Sequence, residues 1–194
     1  VAIRSSNTIG YFLPRDLGGW YGQFMHAMGE NAATAPFPDD GDLNAFRVGY
    51  STGKWNVALA HSMYELNGNK IDFSNLGGTY DAGFAKLMVQ YFRDSSEAAG
   101  APDTRGYLIG AQIPVGAGYI PVSYTRNGER SGARRSAHQL AVGYVHNLSK
   151  RSALYTTYSR ISNSRGAALN GNGVPPGVPN QAWTGLDIGF RHTF

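Results

Sequence analysis

The chain of 194 residues contains no cysteine, which removes disulfide frameworks, thiolate metal sites and cysteine nucleophiles. Charge is scarce: 15% of residues are Asp, Glu, Lys or Arg, against about 25% in ordinary soluble domains. Long apolar runs are missing too. No stretch approaches the roughly 18 consecutive apolar residues that a membrane helix requires, so a helical membrane protein is excluded. A β-barrel is not excluded, because its apolar residues alternate with polar ones and average out. Lysine is sparse, with 13 of the 17 basic residues being Arg, a balance that favours rigid, permanently charged forks over flexible point charges. A net charge of +4 without a dense basic block leaves no nucleic-acid footprint. The chain opens at Val1 without a charged segment and an apolar stretch ahead of its first strand pattern, and is read as processed or a fragment.

Glycine and aromatics fill the space that charge leaves, with 26 Gly, 12 Tyr, 9 Phe and 3 Trp. Period-two alternation recurs almost from end to end. Leu186, Ile188, Phe190, His192 and Phe194 share one parity, while Gly185, Asp187, Gly189, Arg191 and Thr193 share the other. The same split separates Leu140, Val142 and Tyr144 from Gln139, Ala141 and Gly143, and Phe46, Val48 and Tyr50 from Arg47, Gly49 and Ser51. It also separates Trp55, Val57 and Leu59 from Asn56, Ala58 and Ala60. The pattern predicts eleven strands, at 5–13, 19–29, 44–52, 55–66, 69–79, 83–93, 105–115, 118–127, 135–148, 151–162 and 182–194. Many are about 10 residues long, enough for a tilted strand to cross a hydrocarbon core.

The connections alternate in character. Short turns are expected at Pro14 to Gly18, Gly53-Lys54, Asp81-Ala82, Gly116-Ala117 and Ser149-Lys150. Long or polar loops are expected at Glu30 to Leu43, Asn67 to Lys70, Asp94 to Thr104, Asn127 to Arg134 and Ser164 to Gln181, with Gly171 to Gly177 flexible and external. Tight turns on one side and elaborate loops on the other are the pattern of an up-and-down transmembrane barrel, whose short turns face the periplasm. A soluble sandwich or lipocalin-like barrel gives the same alternation with the faces exchanged. Three features favour the membrane version. The polar parity is rich in Gly, Ala and Ser with few charges, and aromatics cluster near strand ends at Tyr11-Phe12, Trp20-Tyr21, Tyr91-Phe92, Tyr119 and Trp183, where girdles belong. The chain also ends on Phe194.

The final strand, Gly185-Leu186-Asp187-Ile188-Gly189-Phe190-Arg191-His192-Thr193-Phe194, closely resembles the closing strand of Gram-negative outer-membrane porins. The segment from Ala137 to Tyr155, with its Leu148-Ser149-Lys150-Arg151 turn, is similar to a strand–turn–strand unit of the β-proteobacterial general porins. A third likeness is Ile3-Arg4-Ser5-Ser6-Asn7-Thr8-Ile9-Gly10-Tyr11 leading into Leu17-Gly18-Gly19-Trp20. The resemblance runs from residue 3 to 194 and is loosest in the long loops. It implies an all-β, antiparallel transmembrane barrel of sixteen strands, entered here at the sixth, so that eleven remain. An odd-stranded barrel is unusual for a single bacterial chain. Residues 1–194 are therefore expected to be one domain forming the C-terminal part of a longer porin, without its first five strands and inward-folded constriction loop. With two unpaired edges, such a piece is not expected to be a self-sufficient pore.

The same resemblance implies an outer-membrane channel for passive diffusion of ions and small hydrophilic solutes, anion-selective through lumen arginines. It also implies a homotrimer surrounded by outer-membrane lipid and lipopolysaccharide, with Phe194 read by the barrel-assembly machinery. Arg4 aligns with an arginine lining the family's constriction. Parity adds Arg47, Arg191 and Lys86 to the polar, lumen-side set, where a guanidinium attracts anions by its field. The competing role for Arg47 and Arg191 is pairing with Asp72 or Asp187 to hold the wall together. Arg126, Arg130, Arg134 and Arg135, with Glu129 among them, read as a solvated loop cluster; the other options are a contact with lipopolysaccharide phosphates or the recruitment of anions to the mouth.

Two further function classes stay open. One is a barrel with an occluded pore used as a receptor or structural surface. The other is an outer-membrane hydrolase, in which Asp39, Asp40 or Asp42 and a histidine such as His26 or His61 would activate water. No motif supports it. His138, His146 and His192 lack metal-ligand spacing, and neither G-x-S-x-G nor GxxxxGK[ST] occurs, so no metal, cofactor or catalysis is expected.

Overall fold

The computed structural model describes residues 5–171 and 177–194. Every regular element among them is a strand: β1 (Thr8–Phe12), β2 (Trp20–Ala27), β3 (Leu43–Ser51), β4 (Trp55–Leu66), β5 (Asn69–Asp81) and β6 (Lys86–Ser96), then β7 (Thr104–Val115), β8 (Gly118–Glu129), β9 (Ser136–Asn147), β10 (Ser152–Ser164) and β11 (Trp183–His192). They form one sheet in sequence order, whose end strands are β1 and β11. By contacts the chain divides into two compact units, one holding the residues up to Gly78 with Tyr91–Arg105, the other Thr79–Gln90 with Gly106–Phe194.

In the first unit the register sets Trp20 opposite Tyr50, Phe24 opposite Phe46, and Phe46 opposite His61. Tyr21, Gln23, Arg47, Gly49 and Ala60 therefore share the reverse face. In the second unit Leu140, Val142, Tyr144, Leu154, Tyr158, Leu186 and Phe190 lie on one face, and Gln139, Ala141, Tyr155, Asp187 and Arg191 on the other.

Burial decides which way the faces point. Large apolar side chains are the exposed ones, with Leu59 at 46%, Leu140 at 51%, Leu186 at 65% and Ile188 at 80%. The buried residues are mostly small, among them Ala27, Ala137, Ala153 and Ser159 on the polar face, with Ile161 the one larger side chain on that face, and no large side chain among the described residues is fully buried. A water-soluble sandwich would bury its leucines. A continuous exposed apolar face of this kind needs a hydrocarbon solvent, so the apolar parity faces lipid and the polar parity the lumen.

Several expectations shift. The strand expected at 83–93 is β6 at Lys86–Ser96, because Gly83 adopts a positive φ of 83° and its N–H bonds the Asp81 carboxylate, holding a turn open to Ala85. The polar loop expected at Asn67 to Lys70 is a two-residue Asn67-Gly68 turn with φ of 52° and 66°, the left-handed pair that matches strand twist in tight hairpins. Tyr21, Tyr119 and Trp183 are not girdle residues. They lie on the inward parity, and Trp183 packs against Ala137, Ile161 and Ala167. Residues adjacent in a strand point to opposite faces, so of Trp20 and Tyr21 only one can meet lipid.

Candidate functional site

The inward wall is built by pairing large rings with glycine. Tyr21 lies opposite Gly49, and Tyr155 opposite Gly189. A Cβ at either glycine would overlap the facing ring, so the absence of a side chain is what lets each tyrosine lie flat along the wall. The Tyr21 hydroxyl donates to Asn56 Oδ1 at 2.5 Å, fixing the ring. Arg47 then rests over it, its guanidinium carbon 5.6 Å from the ring centroid, a cation–π contact that orients the side chain without neutralising it. Arg47 is the fifth of the nine residues of β3 and so stands at mid-strand.

Arg191 also takes the inward parity, opposite Ala153, and Lys86 shares its parity with Met88 and Gln90, while Leu87, Val89 and Tyr91 are exposed on the other. Depth separates these cations. Lys86 opens β6 on the short-turn side and Arg191 lies one residue from the end of β11, also on that side, so only Arg47 is central. None of the three forms an ion pair among the described residues. The expected pairing with Asp187 fails on distance: four residues along one strand put it about 13 Å from Arg191. The pairing with Asp72 fails on side. Asp72 shares the outward face with His61, its Oδ1 lying 3.6 Å from His61 Nε2, while His61 Nδ1 is 2.9 Å from Ser74 Oγ. Arg4 and positions 172–176 lie outside the described residues.

Sequence reasoning missed the inward tyrosines, whose only signal was a glycine at the cross-strand position. It also missed an apolar stretch of the inward wall near the loops, where Met25, Leu43, Tyr64, Ile71 and Phe73 border a recess of about 720 Å³.

The loop carboxylates are fasteners. Asp40 accepts N–H bonds from Asn67 at 2.6 Å and Gly68 at 2.9 Å, so the β2–β3 loop clasps the β4–β5 turn, while Asp42 accepts one from Gly29 at 2.6 Å and closes the loop on itself. Asp39 supplies its backbone carbonyl to the Asp42 N–H. His26 bonds Asn44 at 2.9 Å rather than any of these acids. Ser74, His61 and Asp72 do bring a hydroxyl, an imidazole and a carboxylate together. However, β4 and β5 lie inside the sheet and spend their N–H groups on pairing, so no free donors converge to stabilise an oxyanion. In the β8–β9 loop Arg135 grips Glu129, with Nε at 2.7 Å and its backbone N–H at 3.0 Å. Glu129 closes β8 five residues past Tyr124, beyond the apolar band on the loop side. The hydrogen bond from the Arg135 side chain outweighs desolvation and holds its carboxyl below the ordinary value.

Comparison with known proteins agrees with this geometry. Residues 1–166 match the family described as Gram-negative porin. Outer membrane porin protein 32 of Delftia acidovorans is 31% identical over 203 residues, an alignment covering 99% of this chain and 57% of the relative. The solved anion-selective porin from Comamonas acidovorans superposes with a TM-score of 0.86 at 30% identity, over 98% of this chain and 60% of that one. A trimer form of OmpT from Vibrio cholerae, at 14% identity and a TM-score of 0.72 over 95% of this chain and 64% of that one, shares the fold. The chain thus spans about three fifths of the length of these relatives. Porins are channels rather than enzymes, which disposes of the hydrolase alternative. An inside-out eleven-stranded sheet, a family match over most of its length and these relatives together establish that the chain belongs to the Gram-negative porins, the β-barrel proteins of the outer membrane.

Proposed function

We propose that these strands form part of the wall of a water-filled pore that passes ions and small hydrophilic solutes by passive diffusion, with a preference for anions. The observation that carries this reading is Arg47, central on the inward face, aimed by Tyr21 and free of any ion pair among the described residues. A fixed cation in a narrow aqueous passage between low-dielectric walls raises the local concentration of anions. Lys86 and Arg191 act at the short-turn mouth and contribute less, while Arg4 joins the constriction by its likeness to the family's eyelet arginine. The full-length protein assembles as a homotrimer in outer-membrane lipid, and Phe194, fully exposed past β11, serves as the recognition residue for barrel assembly.

The test is the zero-current potential of the full-length protein in a planar bilayer under a KCl gradient. Wild type gives an anion-selective sign. Arg47→Glu lowers the anion-to-cation permeability ratio severalfold, and Arg191→Glu lowers it less, because field focusing falls away at an open mouth. An unchanged ratio in Arg47→Glu removes that residue from selectivity, and a folded barrel without conductance shifts the reading to a receptor surface.

A further inference from the structure

We propose that Tyr155, Asp187 and Arg191 form a saccharide subsite on the inward face of β10–β11, where a pyranose stacks on the tyrosine ring and hydrogen-bonds the two charged side chains. The proposal rests on the pore reading above, since the site faces the lumen. Two tyrosines of the inward wall lie flat over a cross-strand glycine, and their free faces are used differently. The Tyr21 ring carries the Arg47 guanidinium and gives its hydroxyl to Asn56. The Tyr155 ring lies over Gly189 and is 40% exposed. Among the described residues no guanidinium or second ring covers it, and its hydroxyl has no protein partner.

The frame around that ring identifies the ligand class. Gly189 stands midway between Asp187 and Arg191 on β11, and two residues of strand put each of them about 6.8 Å from it. Thr157, opposite Asp187 across the strand pair, adds a hydroxyl on the same face. Neither charge forms an ion pair among the described residues. A simple anion would be opposed by the Asp187 carboxylate and a simple cation by the Arg191 guanidinium, so an ion of either sign finds one end of the site against it. A neutral pyranose suits every group. Its C–H face is apolar and flat enough to cover an aromatic ring, and its hydroxyls both donate and accept. With its equatorial hydroxyls it fills the space between the flanking side chains and leaves hydrogen-bond distance at each end. Asp187 then accepts from one edge and Arg191 donates to the other, and charged partners make the stronger bonds. Opposite charges at its two ends leave the subsite without net attraction for the anions that Arg47 draws.

The experiment records current noise of the full-length channel in a planar bilayer in KCl while D-glucose is titrated, with sorbitol as the open-chain control and triglycine as the zwitterionic one. Wild type should respond saturably to glucose and little to sorbitol, which has the hydroxyls without the ring. Tyr155→Ala should raise the half-saturating glucose concentration about fivefold, and Tyr155→Phe, which keeps the ring, by less than about twofold. Asp187→Asn should raise it about threefold, because a neutral amide replaces a charged acceptor. That variant, the smallest change in shape, carries the test if Tyr155→Ala does not fold. Equal responses to glucose and sorbitol overturn the proposal. So does a half-saturation unchanged in both Tyr155→Ala and Asp187→Asn, or a stronger response to triglycine than to glucose. In each of these cases an anion-selective KCl conductance in the same recordings leaves the pore reading standing, whereas a folded barrel without conductance overturns both.

Discussion

On the outward face of β2–β5 polar side chains away from the strand ends meet one another: His26 meets Asn44, His61 meets Ser74, and the Asp72 carboxylate lies beside the His61 imidazole. The corresponding face of β8–β10 places its charge differently, with Arg126 and Arg160 at the edge of the apolar band and no acid on that face to meet them. The contrast separates two ways for polar chemistry to survive on a lipid-facing surface. Groups that bond one another ask little of their surroundings, whereas a cation left without a partner is stable only at the depth where an external anion is supplied.

Depth is the first way to break this comparison. Ile188, 80% exposed, sits within the apolar run of β11, two outward positions nearer the short turns than Thr184, the neighbour of Arg160. Ile188→Arg is expected to destabilise the folded barrel by about 2–4 kcal/mol, and Arg160→Ile by less than about 1 kcal/mol. Urea-dependent folding into vesicles measures both. Equal costs would show that Arg160 and Ile188 share one environment, and the headgroup boundary would have to move.

A smaller effect sharpens the other half. His61→Leu leaves the Asp72 carboxylate without its imidazole, whereas His61→Leu with Asp72→Leu removes both groups and restores an apolar surface. The double-mutant cycle should give a coupling of about 1 kcal/mol, discounted for side chains that remain 38% and 35% exposed. The parallel cycle on Arg126 and His138 should give a coupling near zero. A coupling there as large as on β4–β5 would make the two outward faces alike.

Period-two alternation carried most of the fold, since it requires only neighbours in the chain, and it placed Arg47, Lys86 and Arg191 on the inward face by the same arithmetic. What it left out depended on partners distant in sequence. Tyr21 looks like a girdle residue beside Trp20 until the register sets it against Gly49, 28 positions on. Asp72 looks like a lumen partner for Arg47 until β5 pairs with β4 in the register that turns it toward His61. Asp40 reads as loop chemistry, and only the fold shows that it fastens a turn 27 residues away. The depth of each charge was equally hidden, because parity names a face and says nothing of height along it.

The smallest expected effect tests why Arg135 stands apart from the outward arginines. Its partner Glu129 has a carboxyl held below the ordinary value of 4.5, chiefly by the hydrogen bond from the Arg135 side chain. A folded value lower than the unfolded one means that the pair stabilises the loop at pH above the unfolded value. That contribution is lost as pH falls from 4.5 through the folded value, and is absent below both. Hydrogen exchange of residues 130–135 in the full-length protein should therefore lose protection across that acid window, and Glu129→Gln should flatten the dependence. Unchanged protection on acidification in wild type would mean that backbone turns, not the Glu129–Arg135 pair, hold this loop.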